Sequence, residues 1–106
     1  MQTADVVRYL ADVLGYELLA YITGKSTKTV RRWAEETTSP RLSTEQILQA
    51  TAYVFQTILE SDSDHVARAW FIGLNPQLDD ATPADMLRDG NVKAVVTAAK
   101  AFVSGG

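Results

Sequence analysis

A cluster of cations and hydroxyl side chains between residues 25 and 41 is the pattern with the clearest chemical purpose in this sequence. The segment predicts a helix, and the faces of that helix that are not apolar carry short polar groups and long cations. These groups are Ser26, Thr27, Lys28, Arg31 and Arg32. Such side chains suit base edges and phosphate oxygens, with Lys25 and Arg41 expected nearer the phosphates. The cluster therefore predicts a surface that reads nucleic acid.

The residues before and within this helix predict how it is positioned. Ala20 is small enough for two helices to approach closely, and Gly24 can adopt the positive φ of a sharp turn without steric cost. Val30 and Trp33 fall on one face of the second helix and would pack back onto the first. This is the helix-turn-helix layout, whose second helix enters the DNA major groove. The alternative, that these four residues only pack two helices together, stays open.

Charge is distributed unevenly along the 106 residues. The whole chain has a net charge of −3, yet residues 25–41 carry five cations against two anions. Half of the ten cations are therefore concentrated around the predicted reading helix. A local basic patch is the expected signature of DNA binding, and the acidic remainder should weaken non-specific association.

Other functional classes find little support in the sequence. The chain has no cysteine, and its single histidine, His65, lacks companion ligands at helical spacing. The acidic run that contains Asp79, Asp80, Asp85 and Asp89 does not match a calcium-binding loop. We find no nucleophile elbow or phosphate-cradling glycine loop, and we expect neither catalysis nor a cofactor. No apolar run is long enough to span a membrane and no signal peptide is recognisable, so a cytoplasmic protein is expected.

Helical signals dominate, and strand alternation is absent. We predict an all-α fold of about seven helices: a helix-turn-helix subdomain over 1–42, a connecting or dimerisation helix over 43–60, and a small helical subdomain over 61–106. Expected helix starts are Thr3, Ser26, Ser43 with Gln46, Ser61 with Asp64, and Thr82 with Pro83 and Asp85. Trp70, Phe71 and Leu74 are expected in the core, although part of this surface could instead meet a partner.

The second half of the chain has a recognisable order of motifs. They are Ala69-Trp70-Phe71, Asn75-Pro76, Leu78, Thr82-Pro83, Met86-Leu87 and Gly90. Together with the helix-turn-helix, they give a chain that resembles the Xre/MbcA/ParS-like antitoxins over essentially its whole length. One departure is Asp79-Asp80-Ala81, where members of the family often have glycine.

The resemblance implies a type II antitoxin encoded beside a RES-domain toxin that degrades NAD. In such systems the C-terminal part blocks the toxin's NAD pocket, and the N-terminal part represses the operon. The toxin-binding residues that it implies here are Trp70, Asn75, Pro76, Arg88, Phe102, Val103, Ser104, Gly105 and Gly106. Phe102 and Val103 could anchor the chain end at the toxin's cleft while the last three residues enter it. Equally, Phe102 could be core and those three residues a frayed end.

Two alternative hypotheses for the function remain. The chain could be a plain transcriptional regulator whose C-terminal half only dimerises, or a helical adaptor that has lost DNA binding. Because one reading helix covers only a few base pairs, specific DNA binding predicts a homodimer or a toxin–antitoxin hetero-oligomer on a palindromic operator. The long helix from Ser43 to Glu60 and the C-terminal helices are the candidate interfaces.

Overall fold

The computed structural model describes residues 2–105, and within them the fold is all-α with seven α-helices, as predicted. The helices are α1 (Thr3–Leu14), α2 (Tyr16–Thr23), α3 (Thr27–Ala34), α4 (Leu42–Leu59), α5 (Asp64–Trp70), α6 (Pro83–Arg88) and α7 (Val92–Val103). The segment between α5 and α6 contains a 3₁₀ turn at Pro76–Leu78 and an antiparallel bridge between Asn75 and Ala81.

Two helix starts, at Ser26 and Thr82, were predicted correctly. Ser26 accepts a hydrogen bond from the Thr29 amide at 3.1 Å, and Thr82 accepts one from the Asp85 amide at 3.0 Å. Both contacts satisfy amides that have no partner within the helix.

Three other predicted starts are wrong by one or two residues. Gln2 occupies the N-cap of α1 in place of Thr3, and its backbone N–H donates to the Asp5 carboxylate at 3.2 Å. Arg41 occupies the N-cap of α4, so the capping box at Ser43 does not form. Ser63 caps α5 in place of Ser61, accepting from the Val66 amide at 3.2 Å. The N-caps of α1 and α4 are residue types that cap preferences do not favour, and two serines, Ser61 and Ser63, lie near the start of α5.

Helix α4 is the centre of the structure, and α1, α2, α5, α6 and α7 all pack against it. Its residue Phe55 is fully buried, with Tyr9 edge-on at 6.2 Å between ring centroids and Phe71 stacked at 6.4 Å. The hydrophobic core is one continuous cluster with contributions from all seven helices. The predicted N-terminal and C-terminal subdomains therefore share a core.

Polar contacts also join the two halves. Arg68 of α5 donates to the Val13 carbonyl of α1 at 2.9 Å. Arg88 of α6 donates to the Tyr21 carbonyl of α2 at 3.1 Å, and the Tyr21 hydroxyl donates to Asp85. No helix within residues 2–105 has the length and apolar character needed to cross a bilayer.

Candidate nucleic-acid and partner surfaces

The turn between α2 and α3 has the backbone that the sequence predicts. Gly24 has a φ of +70° and lies in the left-handed region, where a side chain would be strained. The Lys25 amide then donates to the Ala20 carbonyl at 3.0 Å and closes the turn. Val30 and Trp33 are buried, so α3 packs on α1 and α2 with its opposite face in solvent.

The predicted reading residues divide into separate groups on α3. Lys28 and Arg32 are exposed and lie one helical turn apart, directly opposite the buried residues. Arg31 is also exposed, but its guanidinium lies over the Tyr16 ring at 4.0 Å from the centroid. A guanidinium stacked on a ring is held in place and still keeps donors free at its edge. Lys28 and Arg32 thus form the outward basic face, and Arg31 forms a more rigid flank.

The remaining predicted DNA contacts lie around this helix. Ser26 is exposed, and its hydroxyl also caps α3, whereas Thr27 is half-buried in the first turn. Lys25 and Arg41 are exposed, at the turn before α3 and at the residue before α4. The five cations thus lie on consecutive elements: the turn before α3, α3 itself and the residue before α4.

A second candidate surface lies between the end of α5, the 3₁₀ turn and the end of α7. A groove of about 240 Å³ opens there. Its walls are formed by Trp70, Leu74, Asn75, Pro76, Gln77, Ala98 and Phe102. Trp70 is half-buried and Phe102 is 40% exposed, with 6.3 Å between their ring centroids. We call this groove and its rim the Trp70 surface.

The exposure of Leu74 corrects the expectation that it belongs to the core. Leu74 is 74% exposed and neighbouring Ile72 is 62% exposed, whereas Phe71 is fully buried as predicted. Ile72 was not singled out from the sequence. A turn follows α5 and points alternate apolar side chains outward, and neither residue type nor spacing reveals where such a turn begins.

Asn75 shapes the loop beside this groove. Its side chain is buried and accepts from the Gln77 amide at 2.9 Å, and its backbone carbonyl accepts from Leu78 and Asp80, both at 2.9 Å. Pro76 starts the 3₁₀ turn and is exposed at the groove. Among the predicted toxin-binding residues, Asn75 therefore supports the loop while Pro76 is available for contact.

Asp79 and Asp80, in the loop where members of the family often have glycine, adopt backbone conformations that glycine favours. Asp79 and Asp80 have φ values of +54° and +66°, in the left-handed region. Aspartate is one of the few residues with a side chain that tolerates this region. The loop therefore makes a turn of the kind glycine favours, although its sequence departs from the family pattern.

Arg88 lies apart from the Trp70 groove, on α6. Its guanidinium lies 4.6 Å from the centroid of the Tyr21 ring, in addition to its hydrogen bond to the Tyr21 carbonyl. The Tyr21 hydroxyl lowers the pKa of the Asp85 carboxyl by hydrogen bonding to it, with a further contribution from Thr82, and the same contact raises the pKa of Tyr21. The structure gives Arg88 a role in joining α2 to α6.

The C-terminal residues continue from α7. Val103 is half-buried and ends the helix, the Ser104 hydroxyl donates to the Lys100 carbonyl at 2.9 Å, and Gly105 is exposed with a φ of +79°. Gly106, also predicted to bind the toxin, lies outside the described residues. The Phe102 side chain is not part of the buried core and is not fully exposed either: it packs on Trp70, with part of its ring in solvent. Within residues 2–105, no three histidine or acidic side chains are grouped as metal ligands.

Comparison with known proteins identifies the family. The chain is 30% identical to the mycobacterial cidal antitoxin MbcA of Mycobacterium tuberculosis over 92 residues, which are 87% of this chain and 81% of that protein. MbcA of Mycobacterium bovis matches to the same extent. The sequence matches no protein-family model.

A solved structure extends the similarity to the fold. In the crystal structure of the M. tuberculosis MbcT–MbcA toxin–antitoxin complex, one chain has a TM-score of 0.80 and 30% identity to this one. The alignment covers 96% of this chain and 94% of that chain. The relatedness in sequence and fold confirms the antitoxin part of the resemblance: this chain belongs to the family of antitoxins that includes MbcA.

Proposed function

We propose that this antitoxin neutralises a RES-domain toxin that degrades NAD, by covering the toxin's active-site cleft, and that it represses its own operon through α3. The observation that carries the first half is the Trp70 surface. There Leu74, 74% exposed, and Phe102, 40% exposed, border one groove together with Trp70. Large apolar side chains grouped in this way favour a protein partner over permanent exposure to water.

The known relative supports the nature of that partner. The similar MbcA chain was solved in complex with a toxin, MbcT. The resemblance of the C-terminal motifs to antitoxins of RES-domain toxins supplies the proposed chemistry of the partner, NAD degradation. A cleft that must admit a nucleotide can be closed sterically, so no catalytic group is required of the antitoxin.

The chain end supports a specific mode of closure. Phe102 and Val103 are held at the end of α7 by Trp70 and the neighbouring core. Beyond them, Ser104 and the exposed Gly105 are small residues that could enter a narrow pocket. In this proposal the Trp70 surface binds the rim of the toxin's cleft while the last residues exclude NAD.

The experiment for neutralisation uses two truncations of different depth. Deletion of residues 104–106 removes only the segment beyond α7, and deletion of residues 101–106 also removes Phe102 and Val103. Each variant is co-expressed with the RES-domain toxin encoded beside it, and cellular NAD is measured. We expect full protection by the intact chain, reduced protection by the shorter deletion, and none by the longer one.

The outcomes separate the parts of the proposal. If both truncated proteins fold, bind the toxin and protect NAD fully, the chain end does not close the pocket and inhibition comes from the surface between Trp70 and Gly90. If the neighbouring gene encodes no RES-domain protein, or if its product leaves NAD unchanged, the proposed toxin class is wrong.

The exposed basic face of α3 carries the second half of the proposal. Lys28, Arg31 and Arg32 are accessible on a short helix supported on its other side by Val30 and Trp33. An arginine that reads a guanine contributes about 1–3 kcal/mol of base discrimination. Replacing both Arg31 and Arg32 by alanine should therefore abolish the shift of an operator fragment while circular dichroism remains unchanged. Lys93→Ala, an exposed cation on α7, is the control, and full operator affinity in the double variant would refute the assignment.

A further inference from the structure

The C-terminal end of α3 is held by a side chain from another helix. The last four carbonyls of a helix have no partner within it. In α3, three of the four accept from the backbone amides that follow: Arg31 from Glu35 at 3.0 Å, Arg32 from Thr37 at 2.9 Å, and Trp33 from Glu36 at 3.2 Å. The fourth carbonyl, that of Ala34, accepts from the Arg8 guanidinium of α1. Arg8 therefore closes the end of the reading helix from 26 residues away in the chain.

Arg8 is itself directed by a second contact. Its other terminal nitrogen donates to the Asp5 carboxylate at 2.7 Å, and this carboxylate also accepts from the Gln2 backbone N–H at 3.2 Å. The hydrogen bond from Arg8, followed by that from Gln2, lowers the pKa of Asp5, so the pair is charged at neutral pH. A planar guanidinium that engages two acceptors through two nitrogens has a defined direction. The Asp5 carboxylate thus aims the Arg8 side chain from α1 toward the end of α3.

The last turn of α3 depends on such a contact because the helix is short. It has eight residues, and helices of this length are not stable on their own. The buried Trp33 side chain holds the turn against the core, but apolar contacts are non-directional. The hydrogen bond to the Ala34 carbonyl is directional and fixes the orientation of the helix end. Arg32 projects from this same turn into solvent, two residues before Ala34.

We propose that Arg8 is a positioning residue for operator recognition, which sets the direction of Arg32 in the major groove without contacting DNA itself. This inference rests on the proposed binding of operator DNA by α3. A bidentate contact from an arginine to a guanine needs both nitrogens in place, so a small rotation of the helix end weakens it. Lys28 is independent of this contact, because it lies in the first turn of α3, which Ser26 caps.

The experiment measures affinity for the chain's own promoter fragment over a series of salt concentrations. Arg8→Ala should raise the dissociation constant about fivefold, as part of the tenfold or more expected for loss of a guanine contact. The slope of log affinity against log salt should not change, since no phosphate contact is lost. Arg8→Lys should lose affinity to a similar extent, because one ammonium group does not reproduce the two-nitrogen fork.

Arg68→Ala is the matched control. Arg68 makes the same kind of contact as Arg8, from its guanidinium to a backbone carbonyl of another helix, that of Val13 at 2.9 Å. This contact joins α5 to α1 and does not involve α3, so its loss should leave operator affinity unchanged. Circular dichroism establishes that each variant is folded. If Arg8→Ala does not fold, Arg8→Lys, which keeps a long cationic side chain, gives the same comparison.

A double-mutant cycle separates positioning from a general loss of stability. In an Arg32→Ala background, Arg8→Ala should cost less than about twofold, because the residue through which it acts is absent. In a Lys28→Ala background, Arg8→Ala should keep its full effect. Equal losses in the wild-type and Arg32→Ala backgrounds would overturn the proposal.

The other outcomes distinguish this inference from the operator proposal on which it rests. A salt slope that falls by about one in Arg8→Ala, or full affinity in Arg8→Lys, would show that Arg8 contacts a phosphate and would overturn the positioning role. Unchanged affinity in Arg8→Ala would overturn it as well, while leaving the operator proposal intact. A wild-type chain that does not bind the promoter fragment would refute the operator proposal, and this inference with it.

Discussion

Replacing Leu74 by alanine offers a direct test of the Trp70 surface. The side chain is 74% exposed, so its removal leaves no cavity in the core, and the free energy of unfolding should change by less than about 0.5 kcal/mol. Full burial of a leucine side chain contributes about 1.5–3 kcal/mol. About three-quarters of this is still available to a partner, and we expect a loss of about 1–2 kcal/mol in binding.

This loss corresponds to a dissociation constant about 5–30 times higher, which isothermal titration calorimetry with the purified toxin resolves. Leu42→Ala is the matched control, since Leu42 is the same residue type at 70% exposure on a different face. Unchanged affinity in the Leu74 variant, or an equal loss in the control, would refute the assignment of this surface to the toxin.

Three further predictions concern the reading helix and its support. Arg32→Ala should raise the dissociation constant for operator DNA by about tenfold or more. Arg31→Ala should raise it less, because the Arg31 guanidinium stacks on Tyr16 beside the outward basic face of α3. A larger effect of Arg31→Ala than of Arg32→Ala in gel shifts would contradict the geometry. Tyr21→Phe should raise the pKa of Asp85 toward its ordinary value in an NMR titration, since the tyrosine hydroxyl stabilises the carboxylate. That stabilisation is present at neutral pH and is lost as the pH falls through the Asp85 pKa of the folded protein. If the Asp85 pKa is the same in the Tyr21→Phe variant, the hydrogen bond does not form in solution. Gly24→Ala should lower the free energy of unfolding by about 1 kcal/mol, because its φ of +70° is strained for alanine. Steric overlap does not contribute, since no atom lies within 4 Å of the added carbon. If chemical denaturation shows no change, the turn does not require glycine at this position.

The helices and their buried faces could be predicted from the sequence because apolar spacing is a local signal. Val30 and Trp33 follow the 3.6-residue repeat of α3, and both are buried as expected. The Thr82-Pro83-Asp85 start was equally clear, since cap, proline and acid coincide in one place. Starts with several rival hydroxyl residues, such as Ser61 and Ser63, could not be resolved locally.

The parts that sequence reasoning missed depend on contacts between distant elements. Leu74 and Phe71 have similar character, and only the turn after α5 makes one exposed and the other buried. Arg31 stacks on Tyr16, 15 residues away in the chain, and Arg88 donates to the carbonyl of Tyr21, 67 residues away. No spacing rule links such pairs, so these contacts emerge only from the packed structure.

The continuous core through Phe55 has a consequence for the life of this protein in the cell. Because the reading helix and the Trp70 surface are supported by the same buried residues, we expect them to unfold in one cooperative step. A protease that captures the opened chain would then destroy both surfaces in a single event. On the proposed function, the operator would lose its repressor at the moment when the toxin loses its inhibitor, and resynthesis of the pair would begin without a separate signal.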